Sequence, residues 1–409
     1  MSTFDNIVSL VREVQGLEGL NDKEVESLIT PKRVSQADLK VNGQTYPAWR
    51  IVFNDGTGPG KGGIRFHPEV SEDEVKSLSF WMSIKNSLAG LPYGGGKGGV
   101  KFDPKNTDAK TIDAISREYV RNFHNVLGEN IDVPAPDVYT NAQIMGVMLD
   151  EFEKIKGYHE PGMITGKPLE LGGIALRGDA TARGAYIVFQ EMVAGVLAGK
   201  KDLKVAVQGY GNAGAYIAQM AADGRSKVVA VSDSQGGIYS DHGLDISEIN
   251  KVKTETGRVD NLAGGTKITN AEILELDVDV LFLAALENQI TAENANNIKA
   301  KHIIELANGP VDFAADKILF EKGVMVVPDI LANAGGVVVS YFEWCQNRTG
   351  NILDEDYLRG LLEKKMKNSW QVVYEKYQSQ DKKANLRTCA YAIAIRRILA
   401  AKYARGDFN

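Results

Sequence analysis

The chain has 409 residues, past the size at which one hydrophobic core keeps growing, so its length predicts two domains. Hydrophobic residues make up 44% and charged residues 24%, the balance of an ordinary globular protein. A net charge of −6 argues against nucleic acid or an anionic membrane as the main partner, though not against a local basic pocket.

The N-terminal stretch MSTFDNIVSLVREVQG lacks a basic segment followed by an apolar core, so it reads as an amphipathic helix rather than a secretory signal. A strand follows at Ala48–Phe53, then a glycine-dense run, Gly56–Gly63, that holds Lys61. Ser71-x-x-Glu74 is a capping box and predicts a helix over Ser71–Ala89. Along it Val75, Leu78, Met82, Lys85 and Ala89 share one face, which puts Lys85 on the apolar stripe. An ammonium there either reaches a nearby surface or meets an anion in a cleft.

Leu91–Pro104 (LPYGGGKGGVKFDP) crowds five glycines around Lys97 and reads as a loop. Such a loop is either flexible surface or a place where a small molecule comes close to the amine. It is no P-loop, because Gly98 stands where Ser or Thr belongs and Leu91 where the first glycine belongs. Further on, Asp137 follows two prolines in Asp132-Val133-Pro134-Ala135-Pro136-Asp137, which presents it on stiff backbone as a turn residue or a functional one.

From Gly178 the chain takes the rhythm of a doubly wound α/β sheet. Short apolar runs recur at Lys204–Gln208, Lys227–Ser232, Asp279–Ala284, His302–Leu306 and Val324–Val327. The first runs into Gly209-Tyr210-Gly211-Asn212-Ala213-Gly214 and a helical stretch, the strand–turn–helix context that a dinucleotide fingerprint requires. Asp233, at the end of the next strand, is placed to accept from the ribose hydroxyls of NAD, or is a plain turn aspartate. Arg387–Ala404 carries Tyr391, Ala394, Ile395, Ile398 and Leu399 at helical spacing, a long last helix. Cys345 and Cys389 make no disulfide framework and point to a reducing, cytoplasmic setting. The histidines at 67, 124, 159, 242 and 302 show no metal-ligand spacing, so no metal is expected.

With these residues in view, LPYGGGKGGVKFDP resembles the signature of the glutamate/leucine/phenylalanine/valine dehydrogenases. KGGIRFHPEV, IDVPAPDV, GYGNAG, AALENQIT, ANGP and DILANAGGVVVSYFEW also have counterparts there, in the same order across nearly the whole chain. The resemblance implies an α/β protein of two domains. Residues 1–178 would bind substrate and build the oligomer, with the C-terminal helix 382–409 packing back onto them, and 179–381 would form a Rossmann-type NAD(P) domain. It implies a homo-oligomer, a hexamer in the glutamate branch, and reversible oxidative deamination of L-glutamate to 2-oxoglutarate and ammonium. In that chemistry Lys97 resembles the catalytic amine and Asp137 the proton-transfer carboxylate. Lys85 resembles the holder of the α-carboxylate, and Lys61 with Ser340 the holders of the side-chain carboxylate. Thr181, Gly209, Gly211, Asn212, Ala213, Gly214, Asp233, Ala284, Asn288, Asn308 and Asn333 take the coenzyme positions, and Asp233 favours NAD over NADP.

The leucine and phenylalanine branches carry an apolar residue where Lys61 stands, whereas the pairing Lys85-Asn86 is similar to the leucine branch. Two departures from the family pattern are Ala182 in place of a glycine and a missing proline before Ala284. A catalytically silent relative is the reading from another class. Loss of Lys61, Lys85, Lys97 or Asp137 would favour it, and all four are present.

Overall fold

A computed structural model describes residues 3–381 and 383–408. They divide into two units, one formed by 3–177, 337–360 and 391–408, the other by 178–336 and 361–390. Among the described residues no helix is long and apolar enough to cross a membrane.

The first unit contains β1 (Arg33–Val41), β2 (Gln44–Asn54), β3 (Gly60–Lys61), β4 (Ile64–Phe66), β5 (Gly95–Val100) and β6 (Asp132–Val133). Asn42-Gly43, both at positive φ (51° and 78°), turns β1 into β2 as a tight hairpin. Four strands form one sheet in the order β1-β2-β5-β4, and β3 pairs with β6 apart from it. The glycine-dense segment around Lys97 is therefore not the expected loop. It is the inner strand β5, and all six of its residues are buried. Glycine is a poor strand former, so the reason lies in packing rather than propensity. A Cβ on Gly95 would stand 2.1 Å from Ser83 Oγ, one on Gly98 2.3 Å from Tyr119 Oη, and one on Gly99 2.6 Å from Val70 Cγ1. The glycines let a helix and the core come down onto the strand's own backbone.

That helix is Glu72–Leu88. Ser71 caps it, its Oγ accepting from Glu74 N at 3.3 Å, but Glu74 does not complete the box: its carboxylate turns to Arg65. The predicted stripe is also displaced. Leu78, Met82 and Lys85 are only half-buried, while Ser79, Ser83, Asn86 and Ser87 lie in the core. Serines are small enough to meet a glycine strand, and apolar periodicity alone does not register them. Arg397, on the last helix Leu386–Arg405, donates to the carbonyls of Ser87 and Leu88 at 3.0 and 2.7 Å, and Ser87 Oγ donates to Ala394 O at 2.8 Å. The Arg397 bond satisfies the Leu88 carbonyl that the end of Glu72–Leu88 leaves open and adds a second donor to Ser87 O, which already accepts from Gly90 N at 3.0 Å.

The second unit is built on β7 (Lys204–Gln208), β8 (Lys227–Asp233), β9 (Gly236–Tyr239), β10 (Thr266–Ile268), β11 (Val280–Leu283), β12 (His302–Glu305) and β13 (Met325–Val327). Their order is β10-β9-β8-β7-β11-β12-β13, with the five strands from β8 to β13 parallel and β9 and β10 antiparallel at one edge. The five predicted runs are those parallel strands, so the doubly wound α/β class holds. The chain leaves β7 toward β8 and later returns to β11 on its other side, and a reversal of this kind is where open sheets bind ligands. Deep in this unit Arg387 contacts three carboxylates: Glu305 at 2.7 Å, Asp316 at 3.3 Å and Asp329 at 3.4 Å.

Candidate active site

In the first unit β5 carries Lys97 across from Ile51 of β2, with its ammonium buried. Its Nζ donates to Asp137 Oδ2 at 2.5 Å. Asp137 enters from the proline-stiffened turn after β6, where Asp137 N donates to Thr140 Oγ1 at 2.7 Å and that hydroxyl donates to Ile64 O at 2.9 Å. Burial pushes the Lys97 amine down; Asp137 opposes this and Arg65 adds to it. Burial alone would raise Asp137, but Lys97 and Arg65 outweigh it and hold the carboxyl well below the usual range. An amine poised to lose its proton therefore lies in hydrogen-bond contact with a persistent carboxylate, which suits general acid–base work.

Lys61 lies on β3 and is 1% exposed. Its Nζ donates to Thr165 Oγ1 at 2.8 Å and to Pro134 O at 3.3 Å, so Ser340 is not its direct partner. Ser340 is buried on the helix Gly335–Thr349, three residues before Glu343. Glu343 accepts from Lys167 Nζ at 2.8 Å and from Gly166 N at 2.8 Å, which binds the segment 165–167 to that helix. Burial, then Arg177 and Arg50, drive the Lys61 amine well below its ordinary range against the pull of Glu343 and Asp132. Arg177 faces the same group, and its Nη1 is buried without a hydrogen-bond acceptor. Gly166 (φ +77°) makes room for it, since a Cβ there would stand 1.5 Å from Nη1. A lysine and an arginine with spare donors out of water form a receptor for an anion.

Lys85 stands half-buried in the last turn of Glu72–Leu88. Its neighbour Asn86, expected as a branch marker, ties two backbone segments together, its Nδ2 donating to Gly94 O at 2.6 Å and to Lys61 O at 3.4 Å.

In the second unit the fingerprint glycines divide their duties. A Cβ on Gly209 (φ +92°) would stand 2.5 Å from Ala285 N, and one on Gly214 1.8 Å from Gly209 O. Those two are required by the chain's own packing. Gly211 has nothing within 4 Å of its missing Cβ, so nothing in the chain demands a glycine there. It is the N-cap of Asn212–Asp223 without a side-chain cap, which leaves amide donors and the positive helix end open beside Asn212 and Ala213. A phosphate group fits that cradle. Around it Ala284 N donates to Gln208 O at 2.8 Å and Asn288 N to Gly309 O at 2.9 Å. Asn333 Nδ2 donates to Leu306 O at 3.1 Å and to Asn308 Oδ1 at 3.0 Å, while Asn333 Oδ1 is buried with no partner, an acceptor suited to a carboxamide. Thr181 lies in the first turn of Ala180–Gly195, its Oγ1 3.0 Å from where a Gly336 Cβ would be. Asp233 ends β8 as expected, yet its carboxylate already accepts from Gln235 N (2.8 Å), Val259 N (2.9 Å) and Lys253 Nζ (2.6 Å). The turn reading describes it better than a free ribose acceptor.

Sequence reasoning missed Arg65, Arg177, Thr165, Lys167 and Glu343. Arg65 sits inside one of the family-like motifs, KGGIRFHPEV, and that was its one available signal.

Residues 31–154 match the family model described as Glu/Leu/Phe/Val dehydrogenase, dimerisation domain, and residues 172–406 that of Glutamate/Leucine/Phenylalanine/Valine dehydrogenase. The chain is 45% identical over 390 residues to the cryptic catabolic NAD-specific glutamate dehydrogenase of Bacillus subtilis, covering 94% of this chain and 90% of that one. It is 42% identical over 408 residues to the NADP-specific glutamate dehydrogenase of Saccharolobus shibatae, covering 98% and 96%. Among solved structures it resembles the hetero-hexameric glutamate dehydrogenase of Thermus thermophilus in its leucine-bound form, with a TM-score of 0.91 at 30% identity over 100% of this chain and 98% of that one.

Proposed function

The chain belongs to the glutamate/leucine/phenylalanine/valine dehydrogenase family, and from that premise we propose that it catalyses the reversible oxidative deamination of L-glutamate. Glutamate, NAD(P)+ and water give 2-oxoglutarate, ammonium, NAD(P)H and a proton. The observation that carries the choice of substrate is the buried pair Lys61 and Arg177, the latter with an orphaned Nη1. An aliphatic side chain placed there would leave the spare donors of both cations without an acceptor, a cost of several kcal/mol. A side-chain carboxylate answers both.

In this reading Lys85 holds the α-carboxylate, and Lys61, Ser340 and Arg177 hold the side-chain carboxylate. Bound NAD(P)+ supplies the hydride acceptor for the substrate Cα. Gly211 and the open amides at Asn212 and Ala213 would hold its pyrophosphate, and Asn333 Oδ1 its carboxamide. Asp233, whose carboxylate is shared among three donors of its own chain, gives no preference between NAD and NADP. Lys97, as the neutral amine, takes a proton from water as its oxygen attacks the iminium carbon of the oxidised substrate. Asp137 moves protons at the departing nitrogen, 2.5 Å from the amine that must exchange them. Burial of both groups strengthens their interaction with charge that develops on the substrate.

We also place the protein in the cytoplasm as a homo-hexamer. The unpaired cysteines Cys345 and Cys389, neither in a disulfide, support the compartment, and the Thermus relative, a hetero-hexamer, supports the number of subunits but not their identity. Light scattering coupled to size exclusion reads the assembly. Steady-state assays of glutamate, leucine, valine and phenylalanine, each with NAD+ and NADP+, test the reaction. Activity on leucine without activity on glutamate defeats the substrate assignment, and near-normal kcat in Lys97→Ala defeats the mechanism.

A further inference from the structure

We propose that Arg65 is a positioning residue for the Lys97–Asp137 pair, holding the Asp137 carboxylate by the oxygen that the amine does not use. The two oxygens are divided between two cations: Oδ2 accepts from Lys97 Nζ at 2.5 Å and Oδ1 from Arg65 Nε at 2.9 Å. The same guanidinium turns its Nη1 to Glu74 Oε1 at 2.5 Å, so the planar fork spans Asp137 and the first turn of Glu72–Leu88. Side-chain exposure is 16% for Arg65 and 17% for Asp137, which keeps the contact largely out of water. Gly63 lies beneath it, where a Cβ would stand 2.8 Å from Asp137 Cβ, so the missing side chain is what makes room for Asp137. The strand that bears Arg65 also receives the Thr140 hydroxyl at Ile64 O, which fixes the turn carrying Asp137. Main chain and side chain of Asp137 are thus both referenced to β4.

The charged groups that face this pair are Arg65 from β4, Glu74 from the helix, and Lys97 and Asp137 themselves. Their signs make the arrangement testable in two directions. Arg65 favours the deprotonated forms of both Lys97 and Asp137, so its loss raises the pH at which the pair gives up its proton. Glu74 acts on Lys97 with the opposite sign, so its loss lowers that pH. A lysine at position 65 keeps the charge but cannot reach two carboxylates with one rigid fork.

The inference rests on the reading of Lys97 and Asp137 as the proton-moving groups of a glutamate dehydrogenase. The test is the pH profile of kcat/KM for glutamate in the unaltered protein and in Arg65→Gln, Arg65→Lys and Glu74→Gln. Arg65→Gln should move the acid limb alkaline by about one pH unit and lower kcat about 10²-fold with little change in KM for glutamate. Arg65→Lys should restore the limb and only part of kcat. Glu74→Gln should move the limb toward acid, an opposite sign that a general structural lesion does not produce, and it stands as the test if Arg65→Gln fails to fold. Limbs that coincide with the unaltered protein's, or that move the same way in both variants, overturn the inference. No glutamate oxidation by the unaltered protein removes the functional reading instead, so the two failures are told apart.

Discussion

Lys61→Met should make the protein more stable while removing its preference for glutamate. The native ammonium is 1% exposed, has two acceptors for three protons, and faces Arg177 and Arg50, so its charge is held at a cost. A methionine fills nearly the same volume. Little is orphaned by the change, because Pro134 O still accepts from Thr165 N at 3.0 Å and the Thr165 hydroxyl keeps its own donation to Pro134 O. The lost hydrogen bonding costs about 1 kcal/mol, and replacing a buried charge by a well-packed apolar group returns about 1–4 kcal/mol. A net gain of up to about 3 kcal/mol in a unit of roughly 200 residues raises the melting temperature by up to about 12 °C. Losing the one charge-assisted bond that the spare Lys61 proton can make to substrate lowers kcat/KM for glutamate by about 10–10²-fold, with methionine and leucine gaining relative to it. The assay is thermal melting at fixed protein concentration, with and without glutarate, a dicarboxylate that lacks the reacting amine. Saturating glutarate at about 100 Kd adds about 2.7 kcal/mol to the native protein and little to the variant. A variant that melts lower than the native protein, or that keeps its response to glutarate, refutes the account of Lys61 as a destabilising charge kept for binding.

Glu305 is buried among Arg387, Asp329 and Asp316, and burial, opposed by Arg387, raises its carboxyl to about 7 from 4.5. Its contribution to stability is therefore full below about 4.5 and is lost as pH rises through about 7. The stability of the native protein relative to Glu305→Gln should fall by about 2–3 kcal/mol between pH 5 and 8, read from denaturant midpoints; parallel curves refute it. Gly98→Ala and Gly211→Ala should separate cleanly. The first drives Tyr119 Oη from its 3.0 Å bond to Trp49 O and costs about 1–3 kcal/mol. The second leaves stability unchanged within about 0.5 kcal/mol and raises KM for coenzyme at least tenfold, so a destabilised Gly211→Ala with normal coenzyme KM contradicts the phosphate cradle.

The parallel strands of the second unit were legible because strands buried on both faces are continuous apolar runs, as in KVAVQ and KVVAVS. The fingerprint was legible because its glycines are spaced by backbone needs. Strand β5 was not, since the glycines of Leu91–Pro104 advertise a loop and only distant packing, Ser83 on Gly95, Tyr119 on Gly98 and Val70 on Gly99, makes four of them part of a strand. The sites followed the same division. Lys61, Lys85, Lys97 and Asp137 stand in contiguous motifs. Arg65 and Glu343 stand in such motifs too, but their pairings are not written there, because Arg65 meets Asp137 across 72 residues and Lys167 meets Glu343 across 176. No local pattern encodes an encounter at that separation.

The last helix has a consequence for how the chain is made. Within Leu386–Arg405, Arg387 supplies the cation shared by three carboxylates of the second unit, while Arg397 closes the helix that carries Lys85 in the first. Residue 177 leaves the ribosome more than two hundred residues before residue 391, a wait of roughly 10–40 s at ordinary translation rates. During that interval neither unit possesses its full set of contacts. Synthesis of the helix Leu386–Arg405, rather than of either lysine-bearing motif, is the event that supplies these contacts to both.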